Sequence, residues 1–88
     1  MTETFRFRVR DAFDLTRRGT AVTGYIESGE VRVGDVLGVE RSGETTTVAS
    51  VEGVRDADRT LDQPAPVGLL VPDLRPDDLH DGDYLVSP

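Results

Sequence analysis

The sequence predicts an all-β fold, a small β-barrel in which residues 1–88 form a single domain. Three observations predict it. Apolar and polar residues alternate with a period of two in several short segments, turn residues separate those segments, and no stretch keeps a helical period. A barrel is favoured over a sandwich because closure removes exposed strand edges, which matters in a chain of only 88 residues.

The first predicted strand covers residues 5–10, where aromatic and aliphatic residues alternate strictly with arginine. Its core-facing residues are Phe5, Phe7 and Val9, and its outward residues are Arg6, Arg8 and Arg10. The outward arginines fit either a phosphate-binding stripe, or arginines that pair with acids on a neighbouring strand or stay solvated. The negative net charge favours the second interpretation. We expect residues 11–14 to end the strand and residues 16–19 to turn the chain.

The remaining predicted strands are short and separated by turns at residues 28–30, 33–35 and 41–44. They cover residues 20–27, 36–40, 45–54, 67–71 and 84–86. The valines of segment 45–54 break the alternation, which predicts a bulge near Gly53. We interpret residues 56–66 as a loop and expect at most one helical turn within residues 72–79.

The composition excludes several classes of function. The chain has no cysteine, and all ten basic residues are arginine, so thiolate chemistry, lysine Schiff bases and a P-loop lysine are excluded. The net charge of −7 argues against a general nucleic-acid binder, although residues 1–18 carry a charge of +2. No secretory signal or membrane span is visible, which predicts a cytoplasmic protein without a membrane partner.

Other candidate sites are weak. Residues 19–24 match the start of a P-loop, but Tyr25 and Ile26 stand where lysine and a hydroxyl residue are required, and we interpret Gly24 as a glycine in a crowded barrel wall. Asp77 and Asp81 fall at calcium-loop spacing without the other essential ligands, so no metal site is predicted. His80 is interpreted as a surface histidine. No catalytic residue or cofactor site is predicted, and the chain is not expected to be an enzyme.

A longer motif carries a resemblance to a known family. Residues 13–35 read FDLTRRGTAVTGYIESGEVRVGD, and further ordered matches follow at residues 51–55, 67–70 and 81–85. The segment resembles domain II, the second, β-barrel domain of the translational GTPases, and is most similar to that of elongation factor Tu. The resemblance covers nearly the whole chain and implies a closed Greek-key β-barrel without the GTPase domain.

The resemblance also implies candidate binding residues. They are Arg18, Gly19, Thr20, Glu52 and Arg55, which match the family's turn and the segment that lines its aminoacyl and terminal-adenosine pocket. Arg17 replaces the usual glycine of that turn. Ala65, Pro72 and Asp81 depart from the family: Ala65 replaces a glutamate, while Pro72 and Asp81 replace arginines.

Two functions follow from this reading and remain open. The first is a translation-related module that binds RNA (the acceptor end of transfer RNA, or ribosomal RNA) through Arg18, Glu52 and Arg55. The second is a protein-interaction or adaptor barrel without RNA binding, docking for example on a separate GTPase-domain protein. The acidic net charge and the replaced arginines favour the second, whereas the retained turn and the Glu52 and Arg55 pair favour the first.

Overall fold

The computed structural model describes residues 4–53 and 66–87, which are almost entirely β-structure. The elements in chain order are β1 Arg6–Leu15, β2 Gly19–Ser28, β3 Val36–Val39, β4 Thr45–Thr47, β5 Ser50–Gly53, β6 Pro66–Val71, a 3-10 turn Pro76–Asp78 and β7 Tyr84–Val86. The strands pair antiparallel in one sheet, in the order β4-β3-β7-β1-β2-β6-β5. The all-β prediction and the single helical turn are confirmed.

A dipeptide joins the two end strands of the sheet. Strands β4 and β5 lie at opposite ends of the sheet order, yet only Val48 and Ala49 separate them in the sequence. The Val48 N–H donates to the Asp35 carbonyl at 2.8 Å, and the Ala49 N–H donates to the Leu70 carbonyl at 2.9 Å. This dipeptide therefore joins the β3 side of the sheet to the β6 side, whereas a hydrogen-bonded ladder continuous around the ring stays a prediction.

The prediction of one bulged strand over residues 45–54 is wrong. The segment forms two strands, and the pairing of β5 with β6 is regular from Ser50 opposite Leu70 to Gly53 opposite Val67. The valine pattern breaks because the chain crosses at Val48 and Ala49 from one end of the sheet to the other. The predicted loop 56–66 lies outside the described residues except for Pro66, which begins β6 opposite Tyr25.

Strand β1 is longer than predicted, because the chain continues through residues 11–15 after an irregularity. The pairing with β2 is Val9 opposite Gly24 and then Asp11 opposite Thr23, so Arg10 is an extra residue on the β1 side. Such a bulge shifts the side-chain alternation by one residue. Each residue after the bulge therefore lies on the face opposite to the one that unbroken alternation predicts. Ala12 consequently packs on the core, while Phe13 is 45% exposed.

The core lies inside the curled sheet and contains the predicted apolar face of β1. Its residues are Phe5, Phe7, Val9, Val22, Leu37, Val39, Val48, Leu69, Val71, Leu74, Leu79 and Leu85. The predicted crowding at Gly24 is confirmed: an added β-carbon would collide with the Arg8 carbonyl oxygen and lie 3.0 Å from Cε1 of Phe7. Gly24 is thus a packing residue of the wall.

Candidate nucleic-acid interface

A groove crosses the outer face of the sheet where β1, β2, β6 and β5 lie side by side. Its volume is about 230 Å³. Its apolar side chains are Phe13, Leu15, Ala21 and Leu70, and its polar or small residues are Arg18, Thr23, Ser50, Glu52, Gly53 and Gly68. Val22 and Leu69 also border it, but their side chains are buried in the core. The groove therefore combines an apolar wall with one cationic and one anionic side chain.

The Arg10 bulge builds the apolar wall of this groove. Phe5, Phe7, Val9, Phe13 and Leu15 all occupy odd positions, and unbroken alternation would bury all of them. The extra residue puts Phe13 opposite Ala21 and Leu15 opposite Gly19 on the outer face. Sequence reasoning did not assign Phe13 or Leu15 to a site. The signal was Asp11, a charged residue at a position that unbroken alternation would place in the core.

The structure brings together two of the five predicted site residues. Arg18 lies at the end of the β1–β2 turn, where its N–H donates to the Leu15 carbonyl at 2.7 Å. Glu52 lies on β5 opposite Gly68 of β6. Both side chains belong to exposed residues, and both line the groove, although they come from distant parts of the sequence. Arg55 lies outside the described residues, as does Ala65.

The other two predicted residues, Gly19 and Thr20, hold the turn against the segment after β6. The Thr20 hydroxyl is buried and donates to the Leu74 carbonyl at 2.6 Å. Gly19 has a φ of +104°, and an added β-carbon would lie 2.7 Å from Cα of Pro72. They face a separate cleft whose lining includes Asp14 and Arg75. Their visible role is therefore to position the turn that carries Arg18.

Arg17, at the position of the family's glycine, has a φ of +73°, the left-handed conformation that glycine adopts most easily. No other non-glycine residue among the described ones has a positive φ. The β1–β2 turn therefore contains an arginine in a conformation that favours glycine.

Two of the three outward arginines of β1 contact an acid, although neither acid lies on a strand that pairs with β1. Arg6 Nη1 donates to Glu40 Oε2 at 2.8 Å, and the Arg6 guanidinium lies 4.2 Å from the centroid of the Tyr84 ring. The hydrogen bond that Arg6 donates to Glu40 raises the pKa of Arg6 above its usual value. Arg10 lies 3.8 Å from the Asp11 carboxylate and donates to the Tyr25 hydroxyl at 3.3 Å.

Residues 4–53 and 66–87 contain neither a candidate metal site nor a helix that could span a membrane. Within them, no three histidine or acidic side chains cluster in a way that could hold a metal ion. The predicted surface position of His80 is confirmed: the residue is exposed, and its N–H donates to the Asp83 carboxylate at 2.9 Å. No helix in this part of the chain is long and apolar enough to cross a membrane.

No protein-family model matches the sequence, but solved structures do. A bacterial selenocysteine-specific elongation factor EF-Sec superposes with a TM-score of 0.82 at 23% identity, covering 99% of this chain and 15% of that one. The elongation factor SelB of Methanococcus maripaludis, in its apo form, gives 0.80 at 28% identity, covering 97% of this chain and 19% of that one. This chain spans less than a fifth of the length of either factor. Its fold is that of a domain II-like module of the translational GTPases.

Proposed function

We propose that this chain is a non-catalytic binding module that accommodates the aminoacylated 3′ end of an RNA in the outer-face groove. The observation that carries the proposal is that Arg18 and Glu52 line one groove beside an apolar wall. Similarity to domains of two translation elongation factors supports a role in translation.

The chemistry of the lining suits such a ligand. The Phe13 ring and the Leu15 side chain offer an apolar surface to a base or to an aminoacyl side chain. The Arg18 guanidinium matches a phosphate, which it contacts through two N–H donors. The Glu52 carboxylate accepts hydrogen bonds from a ribose hydroxyl or from the α-amino group of an aminoacyl ester.

Charge limits the strength of this binding. The net charge of the chain is −7, so the attraction for RNA comes from local arginines rather than from the whole molecule. We therefore expect weak binding that depends steeply on salt, because each phosphate contact releases counterions.

The test is an amide chemical-shift titration of the labelled domain with an aminoacylated acceptor-stem minihelix, at low salt and then near physiological salt. We expect saturable shifts at Arg18, Glu52 and Gly68, and weaker binding for Arg18→Ala and for Glu52→Gln. The matched control is Arg32→Ala, an exposed arginine that follows the far end of β2 and does not line the groove. Equal affinities of Arg18→Ala, Arg32→Ala and the parent, or no shifts at low salt, would contradict the proposal.

A second candidate function is docking on a GTPase domain made as a separate chain. The observation that favours it is a pair of exposed apolar residues outside the groove, Val33 at 66% and Val36 at 49% exposure. A titration with an isolated translational GTPase domain tests it. Shifts at Val33 and Val36 that are lost in Val33→Ser would support docking, and unchanged spectra would exclude it for that domain.

A further inference from the structure

We propose that the outer face of β7, β1 and β2 is a second contact for single-stranded RNA, in which Arg8 holds a phosphate of the nucleotides that precede the bound 3′ end. The proposal rests on the proposed function, because it extends the same ligand beyond the groove. The tyrosine–arginine face is defined by five residues: Arg6, Arg8, Arg10, Tyr25 and Tyr84.

Strand register places Arg8 between two tyrosines. Arg8 lies opposite Tyr25 on β2 and opposite Tyr84 on β7. Directly opposed residues of antiparallel strands project from the same face of a sheet. The neighbouring pair faces the core, because Phe7 lies opposite Leu85 and is fully buried. Arg8, the next residue on β1, therefore faces outward. An arginine flanked by a tyrosine on either side is thus presented on the outside of the sheet.

Arg8 differs from Arg6 and Arg10 in having no side-chain partner among residues 4–53 and 66–87. Arg6 is engaged by Glu40 and Tyr84, and Arg10 by Asp11 and Tyr25. Arg8 is exposed and makes no ion pair or side-chain hydrogen bond within the described part of the chain. Its guanidinium is therefore the one on this face that can meet an external anion without first breaking an internal contact.

The chemistry of the face matches a single strand. Tyrosine rings stack on bases of any sequence, and arginine contacts the phosphates between them. The half-buried Tyr25 and Tyr84 are held by side-chain contacts at their hydroxyls, with Arg10 at 3.3 Å and Glu27 at 3.3 Å respectively. The Arg6 guanidinium covers one face of the Tyr84 ring, which leaves its other face and the Tyr25 ring for stacking. Two positioned rings on either side of the Arg8 cation favour a nucleic-acid strand over a simple anion.

The face is continuous with the groove along β1. Both lie on the outer surface of β1 and β2, with Asp11 and Thr23 paired between them. Arg8 and Phe13 lie opposite Tyr25 and Ala21, which are four residues apart on β2, or roughly 13 Å along the strand. A few nucleotides span such a distance, so one RNA strand can occupy the groove with its 3′ end and reach Arg8 with an upstream phosphate.

The test uses a single-stranded uridine octamer, with its dissociation constant measured by fluorescence anisotropy over a series of salt concentrations. Removing one phosphate contact lowers the slope of log K against log salt by about 0.7 for a single strand. We expect Arg8→Ala to show that loss, Arg8→Lys to recover it, and Arg32→Ala to keep the parent slope. Amide shifts of Arg8, Tyr25 and Tyr84 on adding the octamer identify the surface directly.

The outcomes separate this inference from the proposed function. Equal slopes for the parent and Arg8→Ala, or octamer shifts confined to the groove, would overturn the second contact. If the minihelix then still shifts Arg18 and Glu52, the groove function stands without it. If the octamer shifts Arg8 and its tyrosines while the minihelix leaves the groove unperturbed, the face binds RNA and the groove proposal fails.

Discussion

Gly24 lies so close to Arg8 that a β-carbon on Gly24 would collide with the main-chain carbonyl oxygen of Arg8. The contact joins the buried side of β2 to the strand that carries both the groove wall and the tyrosine–arginine face. A backbone atom cannot move aside as a flexible side chain can, so the strand itself would have to shift.

We therefore expect Gly24→Ala to lower the free energy of unfolding by about 3 kcal/mol, the upper part of the range for overpacked cores. The matched control is Gly38→Ala, also a buried strand glycine, whose added β-carbon would meet its nearest atoms at 3.8 and 3.9 Å. Its stability should change by only about 0.5 kcal/mol. Urea unfolding measures both, and equal losses would contradict the crowding argument.

The second prediction concerns the left-handed residue of the β1–β2 turn. Arg17→Gly should raise the free energy of unfolding by about 0.5 kcal/mol, because glycine accepts a φ of +73° without steric cost but gains freedom in the unfolded chain. Arg18→Gly is the control. Arg18 does not have a positive φ, so this change should lower stability by about 0.5–1 kcal/mol. If Arg17→Gly lowered the free energy of unfolding, the left-handed backbone of Arg17 would not be a source of strain.

The third prediction concerns the ion pair between Arg41 and Asp83. Arg41 Nε and Nη2 donate to the Asp83 carboxylate at 3.1 and 3.0 Å, and these hydrogen bonds hold the pKa of Asp83 below its usual range. The folded-state pKa lies below the unfolded value of about 3.9. The contribution of this carboxylate to stability is therefore complete above about pH 4 and is lost as the pH falls through the folded pKa.

Asp83→Asn should accordingly cost about 1 kcal/mol at pH 7, because half of the Arg41 side chain remains in solvent. The cost should shrink as the pH is lowered from 5 towards 2, as measured by urea unfolding. The control is Asp81→Asn, because Asp81 is exposed and makes no ion pair or side-chain hydrogen bond among the described residues. This substitution should change the free energy of unfolding little across the same pH range. A cost of Asp83→Asn that does not vary with pH would remove the electrostatic explanation.

The fourth prediction separates the two kinds of phenylalanine on β1. Phe7 is fully buried, and Phe7→Ala should cost about 3–5 kcal/mol. Phe13 is 45% exposed and lines the groove, so Phe13→Ala should cost about 1 kcal/mol or less and yet weaken binding of the minihelix. Thermal unfolding and the chemical-shift titration measure the two effects. A Phe13→Ala protein that binds like the parent would remove Phe13 from the site.

Local pattern was enough to predict most strands. The alternation in residues 5–10 correctly placed Phe7 in the core and Arg8 outside, because the period of a strand depends only on its own backbone. Local pattern did not predict the structure where the chain changes its partner strand or where a bulge reverses the inside–outside alternation of the side chains. The valine pattern that the crossing at Val48 and Ala49 interrupts predicted a bulge near Gly53, and the residues after the bulge at Arg10 predicted the end of a strand. Both features depend on which strand lies alongside, which local pattern does not contain.

The sequence by itself determined the all-β class and the arginine-only cation set. Its resemblance to a known family, in residues 13–35 and 51–55, made Arg18 and Glu52 candidates. Only the tertiary structure decided that Arg18 and Glu52 share a groove, that Gly19 and Thr20 support the turn, and that Arg8 lies between two tyrosines. The physical reason is register: antiparallel pairing sets which side chains face each other, and one extra residue in β1 reverses the face of every residue after it.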